Sequence, residues 1–486
     1  MMTTAPVAAA ATDPDHKPMA RWALAGLSLC MLLAALGTSI ANVGLPMLGE
    51  VFEASFGQVQ WIVLAYLLAS TAVVVSAGRL GDLIGRRRLL LIGIALFTLA
   101  SALCGAATTL WLLIAARAVQ GVGAAIMMTL SMALIGDAAP KARAGSAMGL
   151  LGTMSAVGTA LGPSLGGMLI SGLGWRATFL ISIPLGLIAF VLTQRSLPIN
   201  RPAPRTGLVG FDMRGTLLLA VMLVAYALAM TMGRSSFGLL NLAMLSLAVA
   251  LALLFALTEA RTASPLLRLA MFRDVGLSTS LAMSALVSTV MMATLVVGPF
   301  YLSRALGLEA ALVGLAMSLG PFVAALAGVP AGRLVDRFGV QWMTVVGLIG
   351  MATGTSALSL IPTQFGIAGY VAPLVVITAG YALFQTANNT AVMTGIRPDQ
   401  RGVISGMLNL SRNLGLITGA SAMGTVFSLA SATNDIAGAG PEAVATGMRM
   451  TFAVAVMLIV LALAISAGAL HFARRKAIAD RLAGAK

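Results

Sequence analysis

Fourteen long apolar stretches follow one another along this chain, parted by short polar loops, and that succession excludes most folds. They run over about 22–48, 57–77, 88–107, 110–136, 144–171, 177–194, 215–233, 238–258, 276–302, 310–331, 341–361, 367–394, 403–429 and 448–470. Crossing a bilayer as a helix takes about 20 mostly apolar residues. Lipid offers the backbone no hydrogen-bond partner, so each such stretch must satisfy itself as a helix. The polar balance agrees: only 9% of the 486 residues are charged, against roughly 25% in soluble domains. The expected product is an all-α integral membrane protein with fourteen transmembrane helices.

The net charge of +15 raises the question of nucleic acid, and its distribution answers it. With the N-terminus in the cytoplasm and every stretch crossing, 24 of the 30 Lys and Arg fall on the cytoplasmic side, from Lys17 and Arg21 through Arg86, Arg87 and Arg88 to Lys486. Four, Arg176, Arg234, Arg304 and Arg449, fall outside, and Arg117 and Arg412 lie within spans. Such asymmetry is the positive-inside pattern. The basic excess therefore faces anionic lipid, not DNA or RNA. Both termini are expected in the cytoplasm, with the chain in the inner (plasma) membrane. All five tryptophans, Trp22, Trp61, Trp111, Trp175 and Trp342, stand at or just before a span start, where an interfacial belt is expected.

Catalytic chemistry finds little material. Cys30 and Cys104 sit inside apolar runs, and His16 and His471 lie in the polar tails. No disulfide framework, metal cluster, nucleophile–base pair or phosphate loop can be assembled, so no enzyme and no cofactor are expected.

A repeat organises the chain. Gly78-Arg-Leu-Gly-Asp82-Leu-Ile-Gly85 stands between spans 2 and 3, and Gly332-Arg-Leu-Val-Asp336-Arg-Phe-Gly339 between spans 10 and 11. Spans 9–14 thus repeat spans 1–6 in the same orientation, and spans 7 and 8 are an extra hairpin. Parallel halves about an axis along the membrane normal are a known transporter plan. The expected divisions are a tail over 1–21, a six-helix bundle over 22–200, a linker with two helices over 201–274, a second bundle over 275–471 and a tail over 472–486. Each motif copy reads as a tight Gly-bounded loop whose Asp can face a helix N-terminus and pair with Arg. The first is followed by Arg86, Arg87 and Arg88; the second has Val340 and Gln341 there and should hold more weakly.

Two further motifs lie in the first half. Arg117-Ala-Val-Gln120-Gly121 puts an arginine inside an apolar helix, which is costly unless it faces protein, water or a partner. Gln120 shares its face one turn on. Snorkelling to the headgroups is the plain alternative. Gly158-Thr-Ala-Leu-Gly162-Pro163-Ser-Leu-Gly166-Gly167 offers small residues that let another backbone approach, with a proline that bends the helix.

Together these motifs resemble the major facilitator superfamily, and specifically its fourteen-span drug–proton antiporters, over nearly the whole chain after residue 20. The resemblance implies two pseudo-symmetric bundles (6+2+6) and alternating access. It makes Gly78, Asp82, Gly85, Arg86, Gly332, Asp336 and Gly339 a conformational latch and places Arg117 in the transport path, linked to proton transfer. Arg412, in Asn409-Leu-Ser-Arg412-Asn413, matches an arginine of the family. Gly158, Gly162, Pro163, Gly166 and Gly167 carry the exporters' antiporter signature. Small-molecule substrate, protons and membrane lipids are the implied partners, with a periplasmic adaptor in a Gram-negative envelope.

One departure bears on mechanism. Where the family's first span has an acid, this chain has Gly37, in Gly37-Thr38-Ser39-Ile40-Ala41-Asn42. No carboxylate stands mid-membrane, so a proton carrier must come from span ends: Asp82, Asp137 or Glu309. Two buried positive charges without an acid should repel a bare cation. The expected cargo is lipophilic, neutral or weakly acidic. Thr38, Asn42, Gln60, Tyr66, Gln120, Tyr381, Gln385, Asn388, Asn389, Asn409 and Asn413 are the polar candidates for a cavity, and Gln385, Asn388 and Asn389 are expected on one helix side. Efflux by proton antiport is the expectation; import on the same scaffold and a non-transporting membrane protein remain open beside it.

Overall fold

The computed structural model describes residues 16–138, 144–197, 212–231, 238–262, 269–393, 401–431 and 439–483. Lys141, Arg143, Arg201, Arg205, Arg234, Arg268, Arg397 and Lys486 of the basic set lie outside the described residues. So do the side chains of Arg79, Asp82 and Asp137.

Fourteen helices among the described residues are long and apolar enough to cross a membrane. In chain order they are spans 1 to 14: Arg21–Val43, Phe56–Val74, Arg86–Gly105, Leu110–Leu134, Leu150–Leu173, Ala177–Ser196, Met213–Thr231, Leu239–Arg261, Val275–Ala305, Ala310–Phe338, Val340–Leu360, Thr363–Met393, Gly406–Ala430 and Pro441–His471. No strand occurs among the described residues. Spans 1 and 9, the first of each six, are the most enclosed, 72% buried in their apolar windows, while span 8 is 17% buried. Equivalent helices thus sit at the centres of two bundles. Span 8 presents Leu240, Leu242, Leu253, Leu254 and Leu257 outward, a face that only lipid suits.

The repeated motif is not a loop. The span 2 helix runs unbroken to Ile84 and the next begins at Arg86; the span 10 helix runs to Phe338 and the next begins at Val340. Each reversal is made at one residue, Gly85 (φ +101°) and Gly339 (φ +86°), in the left-handed region that glycine tolerates. Each glycine N–H donates to a carbonyl four residues back, Gly81 and Val335, both at 2.9 Å. The turn needs glycine alone, so the rest of the motif remains helical.

Span 7 lies along the seam between the bundles. It meets the span 2 helix through Ser76 and Thr216 (2.7 Å) and through the Trp61 indole N–H, which donates to Thr231 (3.1 Å). It meets span 13 through the Tyr226 hydroxyl, which donates to Thr418 (3.1 Å), and through the Thr425 hydroxyl, which donates to the Met230 carbonyl. Its chain neighbours did not disclose this position.

The tryptophan belt needs correction. Trp22, Trp111 and Trp342 are exposed, but Trp175 is buried, edge-on to Phe52 and Phe179 with Arg176 over its ring. Its large apolar area fills a gap between helix ends instead of anchoring in headgroups.

Candidate functional site

Arg117 is 0% exposed, so it does not snorkel. Its Nε donates to the Ile62 carbonyl at 2.9 Å and its Nη1 to Gln120 Oε1 at 2.5 Å. The guanidinium carbon stands 4.3 Å from the Tyr66 ring centroid, within cation–π range. Gln120 Nε2 donates to Ser101 Oγ (2.8 Å), which donates to the Phe97 carbonyl (2.7 Å). One network therefore ties spans 2, 3 and 4 together without any acid. A helix carbonyl, a carboxamide and an aromatic face share the work a carboxylate would do. Gly37 stands against this centre: a Cβ there would be 3.2 Å from the Tyr66 hydroxyl and 3.2 Å from Phe97.

Arg412 has different surroundings. A cavity of about 150 Å³ is lined by Ser284 of span 9, Gln385, Asn389 and Met393 of span 12, and Leu408, Asn409 and Arg412 of span 13. Residues 385, 389 and 393 recur every four positions and so share one helix face. Asn388 is a correction: it is buried and donates through Nδ2 to the Ser280 carbonyl (3.3 Å), away from Gln385 and Asn389. The first-half candidates also turn elsewhere. Thr38 bonds the Ala34 carbonyl, Asn42 the Thr38 carbonyl, and the Tyr66 hydroxyl the Ala34 carbonyl. Ser284, Met393 and Leu408 were missed because nothing in their own types marks them.

The span 5 motif has two faces. Gly158, Gly162 and Gly166, four residues apart, press on span 1 at Leu32, Ser39 and Ile40. Pro163 and Gly167 press on span 10, where Gly314 Cα would lie 3.1 Å from a Cβ at Gly167. Small residues on both helices allow this backbone-to-backbone approach between the bundles.

That contact belongs to a seal at the end of the bundles opposite the Gly85 and Gly339 turns. The rings of Phe56, Phe300 and Phe427 cluster there, with centroids 4.8, 5.4 and 6.3 Å apart. Gln60 Nε2 donates to the Ala420 carbonyl at 2.9 Å, so Gln60 joins the halves instead of lining the cavity. Arg304 and Glu50 form an ion pair across the same seam. Two π-helical turns, Tyr301–Ala305 and Gly419–Met423, carry Arg304 and Ala420. Such turns cluster at functional sites. Lone charges at span ends in opposite halves were the only advance signal for the pair.

The remaining sequence candidates sit at helix ends. Glu309 is exposed at the start of span 10, and Asp336 is exposed near Gly339. Arg87 donates to the Gln194 carbonyl (2.5 Å), capping the end of the span 6 helix. Gly81 packs closely on Leu130, and Val335, its counterpart in the second copy, is buried beside Met343 and Ala387, while Gly332 and Gly339 have open space.

Against known proteins, residues 27–420 match the family model of the Major Facilitator Superfamily. The chain is 33% identical over 420 residues to the drug efflux pump JefA of Mycobacterium tuberculosis, covering 84% of this chain and 80% of that one. It is 29% identical to the riboflavin transporter RibZ of Clostridioides difficile, covering 82% and 85%. A bacterial homologue of the human lysosomal transporter Spinster, solved inward-facing, superimposes with a TM-score of 0.67 at 18% identity over 93% of this chain and 97% of that one.

Proposed function

Because the chain belongs to the Major Facilitator Superfamily and is a membrane transporter of small molecules, we propose that it exports lipophilic, neutral or weakly acidic compounds by proton antiport. The observation that carries this is the contrast between the two ends: a multi-part seal between the bundles at one, a cavity toward the other. Alternating access needs such an asymmetry and its reversal. The seal's parts suit reversal, since an aromatic cluster, one ion pair and a glycine contact can separate without breaking a helix.

In this proposal the Gly85 and Gly339 turns face the cytoplasm of the inner membrane, as the basic flanks require, and the cavity opens inward. The two bundles span 22–200 and 275–471, with the 201–274 segment supplying the seam helix. Export is favoured by the span 5 signature and by relatives named as drug or multidrug efflux pumps. Arg117 positions the span 2, 3 and 4 elements that move together and biases a titrating carboxylate drawn from Asp82, Asp137 or Glu309. The latch residues Gly78, Asp82, Gly85, Arg86, Gly332, Asp336 and Gly339 would fasten the open end when it closes.

The test is extrusion of a preloaded, weakly acidic lipophilic dye, with and without a collapsed pH gradient, in wild type and Arg117→Ala. Extrusion should stop when the gradient is removed; extrusion indifferent to the gradient refutes antiport. The relative named as a riboflavin transporter favours a second reading, uptake of an organic solute. Vesicles of defined orientation separate the two by the direction of net flux.

A further inference from the structure

We propose that the cavity among spans 9, 12 and 13 is a carboxylate-binding subsite, which seats a ring-sized organic acid or the acidic end of a larger one. It deepens the transport reading above and rests on it.

Among the described residues, the lining carries one formal charge, the Arg412 guanidinium, and no Asp or Glu. Around it stand the carboxamides of Gln385, Asn389 and Asn409 and the hydroxyl of Ser284, all able to donate a hydrogen bond. Arg412 lies well inside a membrane helix, where an unpartnered charge is costly. Arg117 also keeps one unpartnered nitrogen, Nη2, but it is wholly enclosed among a carbonyl, a carboxamide and a ring. The Arg412 Nε is buried without a hydrogen-bond partner among the described residues, and its side chain borders the cavity. A guanidinium fork matches the two oxygens of a carboxylate, and the pair is charge-assisted.

Size narrows the ligand. A cavity of about 150 Å³ is comparable to one that takes up a single benzene. It falls short of the roughly 300–1,000 Å³ that encloses a drug-sized molecule. Met393 and Leu408 supply an apolar wall for the ring, and methionine adapts to varied shapes. Organic cations meet the wrong charge here and have no acid to receive them.

The probes are benzoate, benzamide and benzylammonium, which share a ring and differ in charge. Each is titrated against the purified full-length protein in phosphatidylcholine nanodiscs, with no gradient. Benzoate should bind at least about tenfold tighter than either of the others, as a charge-assisted hydrogen-bonded pair implies. Arg412→Gln should erase the benzoate advantage while benzamide still binds, which also reports a folded cavity. Arg412→Lys should recover part of it, because a point charge lacks the fork. Equal binding of benzylammonium and benzoate by wild type overturns the proposal without any variant, as does undiminished benzoate binding by Arg412→Gln. If Arg412→Gln fails to fold, Asn389→Leu takes its place and must weaken benzoate more than benzamide. A benzoate affinity that collapses in phosphatidylglycerol nanodiscs identifies a lipid phosphate as the occupant and overturns the cargo assignment. Failure of proton antiport would leave this ranking intact, and loss of the ranking would leave efflux intact.

Discussion

Arg117 is wholly enclosed and stitched to Ile62, Gln120 and Tyr66, while Arg412 borders a cavity with its Nε unpaired. Both are arginines inside apolar helices, one in each half, although the repeat pairs span 4 with span 12 and span 13 with span 5, so they do not occupy equivalent positions. Each leaves one buried nitrogen without a partner among the described residues, Arg117 Nη2 and Arg412 Nε, so access and not pairing separates them. Arg117 is closed off inside its own bundle, whereas Arg412 lines a cavity that a ligand can reach. The halves of this transporter are related in path but not in detail: the first encloses its arginine, and the second sets its arginine beside a cavity.

The sharpest way to break this comparison is to remove each charge. Arg117→Ala strands the Gln120 oxygen and empties the space over Tyr66. It should cost about 3 kcal/mol of stability, from the cavity and the unsatisfied carboxamide, and abolish efflux, read by thermal unfolding in detergent and by dye extrusion. Arg412→Ala should leave the unfolding midpoint within the scatter of surface substitutions, about 0.5 kcal/mol, while efflux of an acidic dye falls. Equal destabilisation by the two would erase the distinction.

Next in size is the contact between halves. Gly167→Val would push a branched side chain into Ala310 and Gly314. Overpacking of about 1–3 kcal/mol should fall on the sealed state, where the helices touch. Thiol labelling of a cysteine at Phe56 should then rise severalfold, and transport should drop because the seal no longer re-forms. Unchanged labelling would remove span 5 from the seal.

A smaller effect sharpens the charge argument. Gly37→Asp places a carboxylate beside the Tyr66 hydroxyl, where its Cβ would meet two neighbours at 3.2 Å and require a slight adjustment. It supplies the membrane acid this chain lacks. Efflux of a quaternary ammonium dye should rise a few-fold, measured by the rate of fluorescence loss from loaded cells; no gain would show that the first half does not set cation preference. Smallest is Glu50→Gln. It cuts an ion pair whose partners are 52% and 24% exposed, so screening limits the loss to about 0.2–1 kcal/mol. Labelling at Phe56 should shift less than twofold.

Much of this was legible in the residues, and the reason differs from element to element. The fourteen spans were readable because lipid imposes length and apolarity on each helix separately. The two reversals at Gly85 and Gly339 were foreshadowed by the repeat, although only the final glycine of each copy breaks the helix. Arg117 and Gln120 were readable as a pair because they are one turn apart on one helix. Asn388 was misplaced for the converse reason: helical spacing puts it near Gln385 and Asn389, but the neighbouring span 9 backbone claims it. Gln60 looked like a cavity residue and proved to be a strut, since its partner is 360 positions away.

The chain's own residues determined that it is a bundle of membrane helices in two related halves, with basic flanks on one face, because hydrophobic length and helical period act locally. Only tertiary structure decided which arginine is wholly enclosed and which borders a cavity, which small residues meet across the halves, and that span 7 fills the seam. Those outcomes depend on contacts between segments far apart in sequence, and residue type alone does not specify which distant neighbour will arrive.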